Sequence, residues 1–530
     1  MPPNISTIRR KVKSGCLTCK ARKVKCDELK PVCKRCLSTG RTCDGYGIWG
    51  GGGNGYEDRY CLLKTQTTSV KAPAAAHISL QESQQMNWFK DRMLRSVSGL
   101  FTPTLWTRLV MPAAWTEPAV YHAVLALSSA HQGTTCRRQC LLRKQHDFTL
   151  QQYNLAIRQL QPLLTGRTTS SVTVVLITCL IFTSLEYVKS RYQVAATHLE
   201  SGLKLMKSVN ANLATNIFGL DLIKYSAKST VDLTIFQSFA TLHIQAELFG
   251  NHISDPALLL QPLDIEMPTP VFANVEEARY SLYKLFHGII LLSRRVRSRG
   301  SSIAVDDVQQ PALALLLTWR ATYEATFIDN YSTSQRDRLA YTLLLNYHAM
   351  ATTICETVTS NSEIIYGVYT DTFASIVERS LEIWKNSTRD PEICGMGTHC
   401  DMGWIPPLYF TALKCRVRPI RVHAIRLLQS AELREGLFDS ALTASIAAKV
   451  MQLEECNPNG DSSTCNTLTL HEVPRYTDLE HGPLEENLVS EVQAKLLEGN
   501  KVSISCKQQV TDRIIRCAFD GVKWHDIKCP

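Results

Sequence analysis

Between Cys16 and Cys43 the chain places six thiols, Cys16, Cys19, Cys26, Cys33, Cys36 and Cys43, in two copies of Cys-x2-Cys-x6-Cys set 17 residues apart. The 530 residues hold 19 cysteines, about one in 28, so a 28-residue window with six is a cluster rather than background. The first histidine is His77, so a metal held here has thiolates alone as ligands. Soft sulfur ligands in a tetrahedral set point to zinc. One zinc takes four of them and leaves two thiols idle. Two zinc ions need eight ligands, which six thiolates supply only when two of them bridge both metals. The binuclear arrangement uses every cysteine and accounts for the repeat, whereas the mononuclear one ignores it. A disulfide framework is the remaining reading. It is disfavoured because the flanks are basic and no apolar leader stands before the cluster.

The half-repeats differ in charge. Between the second and third cysteines the first reads Lys20, Ala21, Arg22, Lys23, Val24, Lys25, and its counterpart reads Leu37, Ser38, Thr39, Gly40, Arg41, Thr42. Four cations stand against one, an asymmetry that metal ligation does not require. Residues 1–48 carry twelve Lys or Arg, Arg9, Arg10, Lys11 and Lys13 among them, against Asp27, Glu28 and Asp44, while the whole chain is only +10. Nearly all of the net charge therefore sits on the cysteine module, the footprint of a nucleic-acid partner whose phosphates supply affinity. Base readout needs donors in the major groove, where Arg or Lys on guanine O6 and N7 is the commonest specific contact. Arg22 and Lys23 are the cations nearest the middle of the loop. Solvated phosphate contacts or a nuclear import signal are the plainer readings of the same four residues.

Cys-Leu-Thr-Cys-Lys-Ala-Arg-Lys-Val-Lys-Cys-Asp, followed by Lys30-Pro31-Val32-Cys33-Lys34-Arg35-Cys36, resembles the fungal binuclear zinc-cluster (Zn2Cys6) transcription factors, down to the proline two residues before the fourth cysteine. The resemblance implies that Cys16 and Cys33 bridge two zinc ions. It implies a DNA-reading helix that starts after Cys19 and approaches a CGG-type triplet in the major groove. By position the base-reading pair is then Arg22 and Lys23, with Lys20 and Lys25 as support or phosphate contacts. Lys13 belongs to the basic arm that would touch phosphates of any sequence. Segments 117–131, 153–160 and 177–205 resemble the all-helical regulatory domain that follows this cluster in one large branch of the family. That resemblance implies a helical array for dimerisation, effector sensing or contact with the transcription machinery, and assigns no residue a role.

Stepping along the chain gives a domain organisation: a basic arm at 1–15, a Zn2Cys6 DNA-binding domain at 16–46, a flexible linker at 47–85, an all-α regulatory domain at 86–455, and an acidic loop with a C-terminal segment at 456–530 that packs on the body. The expected fold class is a small all-Cys binuclear zinc module followed by a mostly α-helical regulatory domain. The linker holds Gly50 to Gly53, Asn54 and Gly55. Gly50, Gly52 and Gly55 match Gly-x-Gly-x-x-Gly only formally, with no strand pattern before them and no amphipathic helix behind. No leucine heptad is sustained between Tyr46 and Trp88, so a linker coiled coil is not expected, and homodimer or heterodimer formation by that route is left open. Thr116, Glu117 and Pro118 read as a helix start with Thr116 as a cap candidate, before Ala119 to His131. Residues 168–185 carry no charge but eight Ser or Thr, which predicts a buried helix rather than a membrane span. Leu282, Leu285, Ile289, Leu292 and Val296 recur at 3-4-3-4 spacing and read as a core helix more readily than as a zipper seam. Residues 452–500 hold ten acids against Arg475 and Lys495. They read as a solvated loop and a surface helix over 484–497 more readily than as an activation segment. Val502 to Ser505 and Arg516 to Val522 suggest a small β element.

The 13 cysteines outside the cluster, Cys61, Cys136, Cys140 and Cys179 among them, lack metal spacing and read as idle or buried thiols. No His-Glu-x-x-His, phosphate loop or Gly-x-Ser-x-Gly elbow is found, and a zinc pair with filled coordination has no open position for water, so no catalytic residue is expected. The expectation is a nuclear, non-enzymatic regulator of RNA polymerase II genes. Its partners would be two zinc ions, double-stranded DNA, the transcription machinery and an optional small-molecule effector, with no membrane. A ligand-sensing receptor with constitutive DNA binding and a zinc-dependent protein-interaction module are the alternatives.

Overall fold

The protein is described from a computed structural model. It covers residues 15–43 (except 17, 20, 21, 30–32 and 42), 78–94, 99–101, 105–135, 139–165, 169–209, 213–215, 221–223, 230–250, 271–299, 306–327, 334–360, 362–390, 398–399, 401–455 and 485–527. The expected basic arm up to residue 14, Cys61, Cys136, the Gly50–Gly55 run and the acidic stretch 456–484 lie outside the described residues. Two separate cores are present. One is the cysteine cluster itself, and the other runs from Met86 to Cys517 through the rest of the described chain.

In the cysteine module one short helix is described, α1 (Lys34–Leu37). The large body begins at α2 (Leu80–Trp88), inside the stretch expected to be linker. Ser79 and Glu82 form a reciprocal capping box there, a Ser-x-x-Glu signal legible in the sequence. Wide turns at Phe89–Met93 and Leu105–Val110 lead to α3 (Met111–Thr116), α4 (Pro118–Thr135), α5 (Gln139–Thr165), α6 (Thr169–Val188) and α7 (Tyr192–Val209). Thr116 is not the cap of α4. It closes α3 by donating its hydroxyl to the Ala113 carbonyl, and extended Glu117 supplies the first acceptor of α4, to the Tyr121 amide. Proline at the first position of α4 costs nothing, because that N–H has no partner in a helix.

The uncharged segment forms α6, and it is the one described helix long and apolar enough to cross a membrane, yet 89% of its window 171–188 is buried inside the body. Its hydroxyls do not oppose burial. Thr178, Thr183 and Ser184 each donate to the carbonyl one turn back, at 2.8, 2.8 and 2.9 Å, so these three hydroxyls stay paired as α4 and α7 pack against this helix.

A short antiparallel pair, β1 (Leu213–Thr215) and β2 (Asp221–Ile223), precedes α8 (Thr230–Leu248), α9 (Val275–Arg299), α10 (Asp306–Phe327) and α11 (Gln335–Glu356). Leu282, Leu285, Ile289 and Leu292 of α9 are all buried, and α9 lies against α11, so the 3-4-3-4 stripe is a core face. A 3-10 turn (Glu363–Tyr369) and α12 (Thr370–Arg389) follow. Next come β3 (Thr398–His399), α13 (Ile405–Lys414), α14 (Arg418–Ser430), the β4–β5 hairpin (Arg434–Glu435, Phe438–Asp439) and α15 (Ser440–Glu455). Glu435 is buried and caps the start of α13 by accepting the amides of Gly403, Trp404 and Ile405 at 3.0, 3.0 and 2.9 Å. Burial nevertheless pushes its carboxyl up to about 8 against those three bonds.

The chain ends in a four-stranded antiparallel meander, β6 (Val489–Leu497), β7 (Lys501–Gln508), β8 (Ile514–Phe519) and β9 (Trp524–Asp526), in sequential order. The β element expected at 502–505 and 516–522 is there, but the surface helix expected over 484–497 is not. Leu488, Val492 and Leu496 recur at helical spacing. The winning pattern is the pairing of β6 with β7, whose Val502, Ile504 and Cys506 alternate inward against the body.

A buried ionic cluster ties this sheet to the helices. Glu454 of α15 accepts from Arg421 (2.6 Å), Arg416 (3.2 Å) and the Val489 amide that opens β6 (3.0 Å). Arg416 also meets Glu363 at 2.6 Å, and Lys414 bridges Glu363 (2.9 Å) and the Ser490 carbonyl (3.0 Å). Breaking one partner of such a network leaves a buried charge uncompensated. Glu454→Ala is therefore expected to destabilise the body by about 3–5 kcal/mol in denaturant unfolding. Glu455→Ala, which removes the partly exposed pair with Arg418, is expected to cost about 1 kcal/mol or less.

Candidate metal centre and nucleic-acid interface

A 28-residue module is too short for an apolar core of its own, and in its place five cysteines are buried with Cys43 packed against them. The sulfurs of Cys16, Cys19, Cys26 and Cys33 all lie within 4.8 Å of one another, and so do those of Cys16, Cys33, Cys36 and Cys43. Cys16 and Cys33 belong to both groups. Their sulfurs are 3.6 Å apart, Cys16 to Cys36 is 3.8 Å, and Cys19 lies 3.6 Å from Cys33 and 3.9 Å from Cys36. Tetrahedral ligands about 2.3 Å from a zinc ion sit about 3.8 Å from each other, so the donor set has the spacing and softness that zinc requires. Burial pushes the Cys33 thiol up to about 12, and those of Cys16 and Cys19 in the same direction. Loading a thiolate ligand must displace its proton, and the metal's charge supplies the drive.

The 17-residue repeat of the sequence recurs in the backbone. The Cys19 amide donates to the Cys16 sulfur and the Cys36 amide to the Cys33 sulfur, each at 3.3 Å. The Val24 amide reaches the Cys19 carbonyl (3.1 Å) as the Arg41 amide reaches that of Cys36 (3.0 Å). These bonds close each short helical turn with a left-handed residue, Lys23 at φ 56° in the first half and Gly40 at φ 62° in the second. Glycine is the usual occupant of that position, and the first half puts a lysine there instead. Asp27 fastens the connection between the halves. Its carboxylate accepts the Lys34 and Arg35 amides at the start of α1 (3.2 and 2.9 Å) and the Leu29 amide (3.2 Å). Partial desolvation opposes ionisation of Asp27, but the three amides outweigh it and hold the carboxyl below its usual range.

Of the loop cations, Lys23 and Lys25 are exposed, while Arg22 donates through Nη1 to the Thr39 hydroxyl (3.3 Å) and so reaches across to the second half. Lys13 and Lys20 lie outside the described residues. The aligned loops set Lys23 opposite Gly40 in the sequence, whereas the Arg22–Thr39 and Asp27 contacts arise only in the folded module.

The comparisons agree with this geometry. Residues 14–48 match the Fungal Zn(2)-Cys(6) binuclear cluster domain, a module that binds two zinc ions, and residues 85–362, just over half of the chain, match the Fungal specific transcription factor domain. The chain belongs to the fungal Zn2Cys6 transcription factor family. It is 29% identical over 227 residues to the aspercryptin biosynthesis cluster-specific transcription regulator atnN of Emericella nidulans, covering 39% of this chain and 36% of that one. To the transcription regulator lscL of Purpureocillium lilacinum it is 30% identical over 218 residues, 37% of this chain and 49% of that one. The transcriptional regulatory protein moc3 of Schizosaccharomyces pombe shares 50% over 44 residues, 8% of this chain and 9% of its own. The matched segments thus span about a third to a half of the length of the first two relatives. No solved structure matches.

The left-handed turn makes the two halves respond oppositely to substitution. Lys23→Gly is expected to relieve about 1 kcal/mol of backbone strain and Gly40→Ala to introduce about as much. Competition of the zinc-loaded protein against a chromophoric chelator reads both, and retention of zinc should rise in the first variant and fall in the second.

Proposed function

We propose that this chain is a nuclear, sequence-specific DNA-binding regulator of transcription by RNA polymerase II, and that it reads a CGG-type triplet through the first half of its zinc module. The observation that carries the reading is the one-sided charge of an otherwise repeated module. The two halves share backbone geometry, yet the cations cluster in the first, where Lys23 and Lys25 are exposed beside the turn that ends the helical segment. Cys16, Cys19, Cys26 and Cys33 would hold one zinc ion and Cys16, Cys33, Cys36 and Cys43 the other, with Cys16 and Cys33 serving both. This assignment is supported by the two sulfur groups, which share those two residues. When bound, zinc supplies the fold of the module, on the order of 10–16 kcal/mol per structural ion in finger-like modules. The protein's own residues supply recognition. Lys23 and Arg22 donate to base edges, and Lys20, Lys25 and Lys13 hold phosphates. Residues 1–15 serve as a basic arm and 16–46 as the DNA-binding module, and the connection that follows gives way to the regulatory body at Leu80 rather than at 86. The body runs on to 455, with the C-terminal segment 456–530 attached to it.

Selection of bound duplexes from a random pool by the zinc-loaded protein, at fixed salt and beside a chelated control, tests the reading. Enrichment of a CGG-type triplet only with zinc is the expected result. Binding that shows no sequence preference and fades as salt rises would refute it. Lys23→Ala keeps the left-handed turn non-glycine, so it isolates the side chain. It should cost about 1–3 kcal/mol on the selected site and relax base preference, whereas Lys13→Ala should weaken selected and scrambled duplexes alike. Cys33→Ser should strip both ions from the module and Cys43→Ser only one, counted by metal analysis after gel filtration.

A further inference from the structure

The contact between Arg22 and Thr39 joins equivalent points of the repeat. Each residue stands directly before the left-handed residue that closes its half, Arg22 before Lys23 (φ 56°) and Thr39 before Gly40 (φ 62°), 17 positions apart. The Thr39 hydroxyl donates to the Arg35 carbonyl at 2.8 Å, with the Cys36 carbonyl at 3.2 Å, so its hydrogen is spent within its own half. The oxygen therefore turns a lone pair outward, and Arg22 Nη1 donates to it at 3.3 Å. Both ends of this contact are anchored. Arg35 belongs to α1, whose first amides are held by the Asp27 carboxylate, and the Arg22 amide donates to the Thr18 carbonyl at 3.2 Å. A guanidinium carries five N–H donors in a rigid fork, and a guanine is read by two parallel ones on O6 and N7. With Nη1 turned toward Thr39, the edge formed by Nε and Nη2 is the one left for a base. Holding a long side chain in one rotamer before DNA arrives also removes an ordering cost from binding.

We infer that Thr39 is a positioning residue for DNA readout: it orients Arg22 so that the Nε–Nη2 edge meets one guanine, and through Arg22 it sets the base preference at a single position of the site. The inference rests on the DNA reading proposed above. The full-length zinc-loaded protein is measured by fluorescence anisotropy on the selected duplex, on its single-base variants and on a scrambled duplex at fixed salt. Thr39→Val keeps the branched shape and removes the hydroxyl. It is expected to weaken the selected duplex at least fivefold and to relax preference at one base pair, with zinc content and affinity for the scrambled duplex unchanged. Thr39→Ser should restore both affinity and preference. Arg22→Ala should relax the same base pair, and adding Thr39→Val to it should change nothing further, since a residue that acts through Arg22 has no effect once Arg22 is gone. Wild-type selectivity in a zinc-loaded Thr39→Val, or a further loss of the same size in the Arg22→Ala background, overturns the inference. Should Thr39→Val lose zinc, Arg22→Lys decides, because it keeps the charge and loses the fork. Relaxed preference at one base pair is the result expected there, and undiminished selectivity overturns the inference. A wild type that binds selected and scrambled duplexes alike overturns the DNA reading and this inference with it, whereas a selective wild type beside an equally selective Thr39→Val overturns this inference alone.

Discussion

The cysteine module depends on sulfur donors close enough to share metal. Among the described residues, the module's apolar interior is five buried cysteines with a sixth beside them. Thiols alone offer little apolar area and weak hydrogen bonds. Metal–thiolate bonds do the work that burial of Leu, Ile and Phe does in the body. Repeating the motif after 17 residues places Cys16 and Cys33 in both sulfur groups.

That symmetry is broken at the left-handed turns. The Schellman-type closure that ends each half requires one left-handed residue, and the second half meets the requirement with Gly40. The first half accepts strain at Lys23 to place a cation at the same point. Arg22 is steadied by Thr39 of the other half, and Asp27 holds the connection to α1, so the presentation of the cationic loop depends on both halves being folded together.

The body is organised by a different economy of polar groups. Hydroxyls in α6 fold back onto their own helix and let an uncharged segment with many Ser and Thr sit in the core. Charges that are buried appear as a network, with Glu454 and Glu363 sharing Arg416 and reaching the first strand of the terminal sheet. Such a network contributes little net stability against an apolar replacement, but it fixes which strand edge meets which helix end. The sheet is thereby continuous with the helical body rather than an appendage on it.

The sequence by itself determined the parts whose physics is local. Cysteine spacing selected the metal and the count of ions, because coordination number and ligand type are properties of a few neighbouring residues. Helical periodicity marked the core face of α9 and the buried α6, and Pro118 marked the start of α4 to within one cap residue. Tertiary structure decided whatever required residues far apart in the chain. The segment 489–497 carries apolar residues at helical spacing and became β6 only because β7 offers a ladder of partners. Glu454, Arg416 and Glu363 are ordinary surface residues by type until three elements bring them together with water excluded. The start of α2 at Leu80 was legible in its capping box, whereas the Arg22–Thr39 contact was not. Local propensity and ligand chemistry are written in sequence order, while cavities and ion clusters exist only once distant segments have excluded solvent between them.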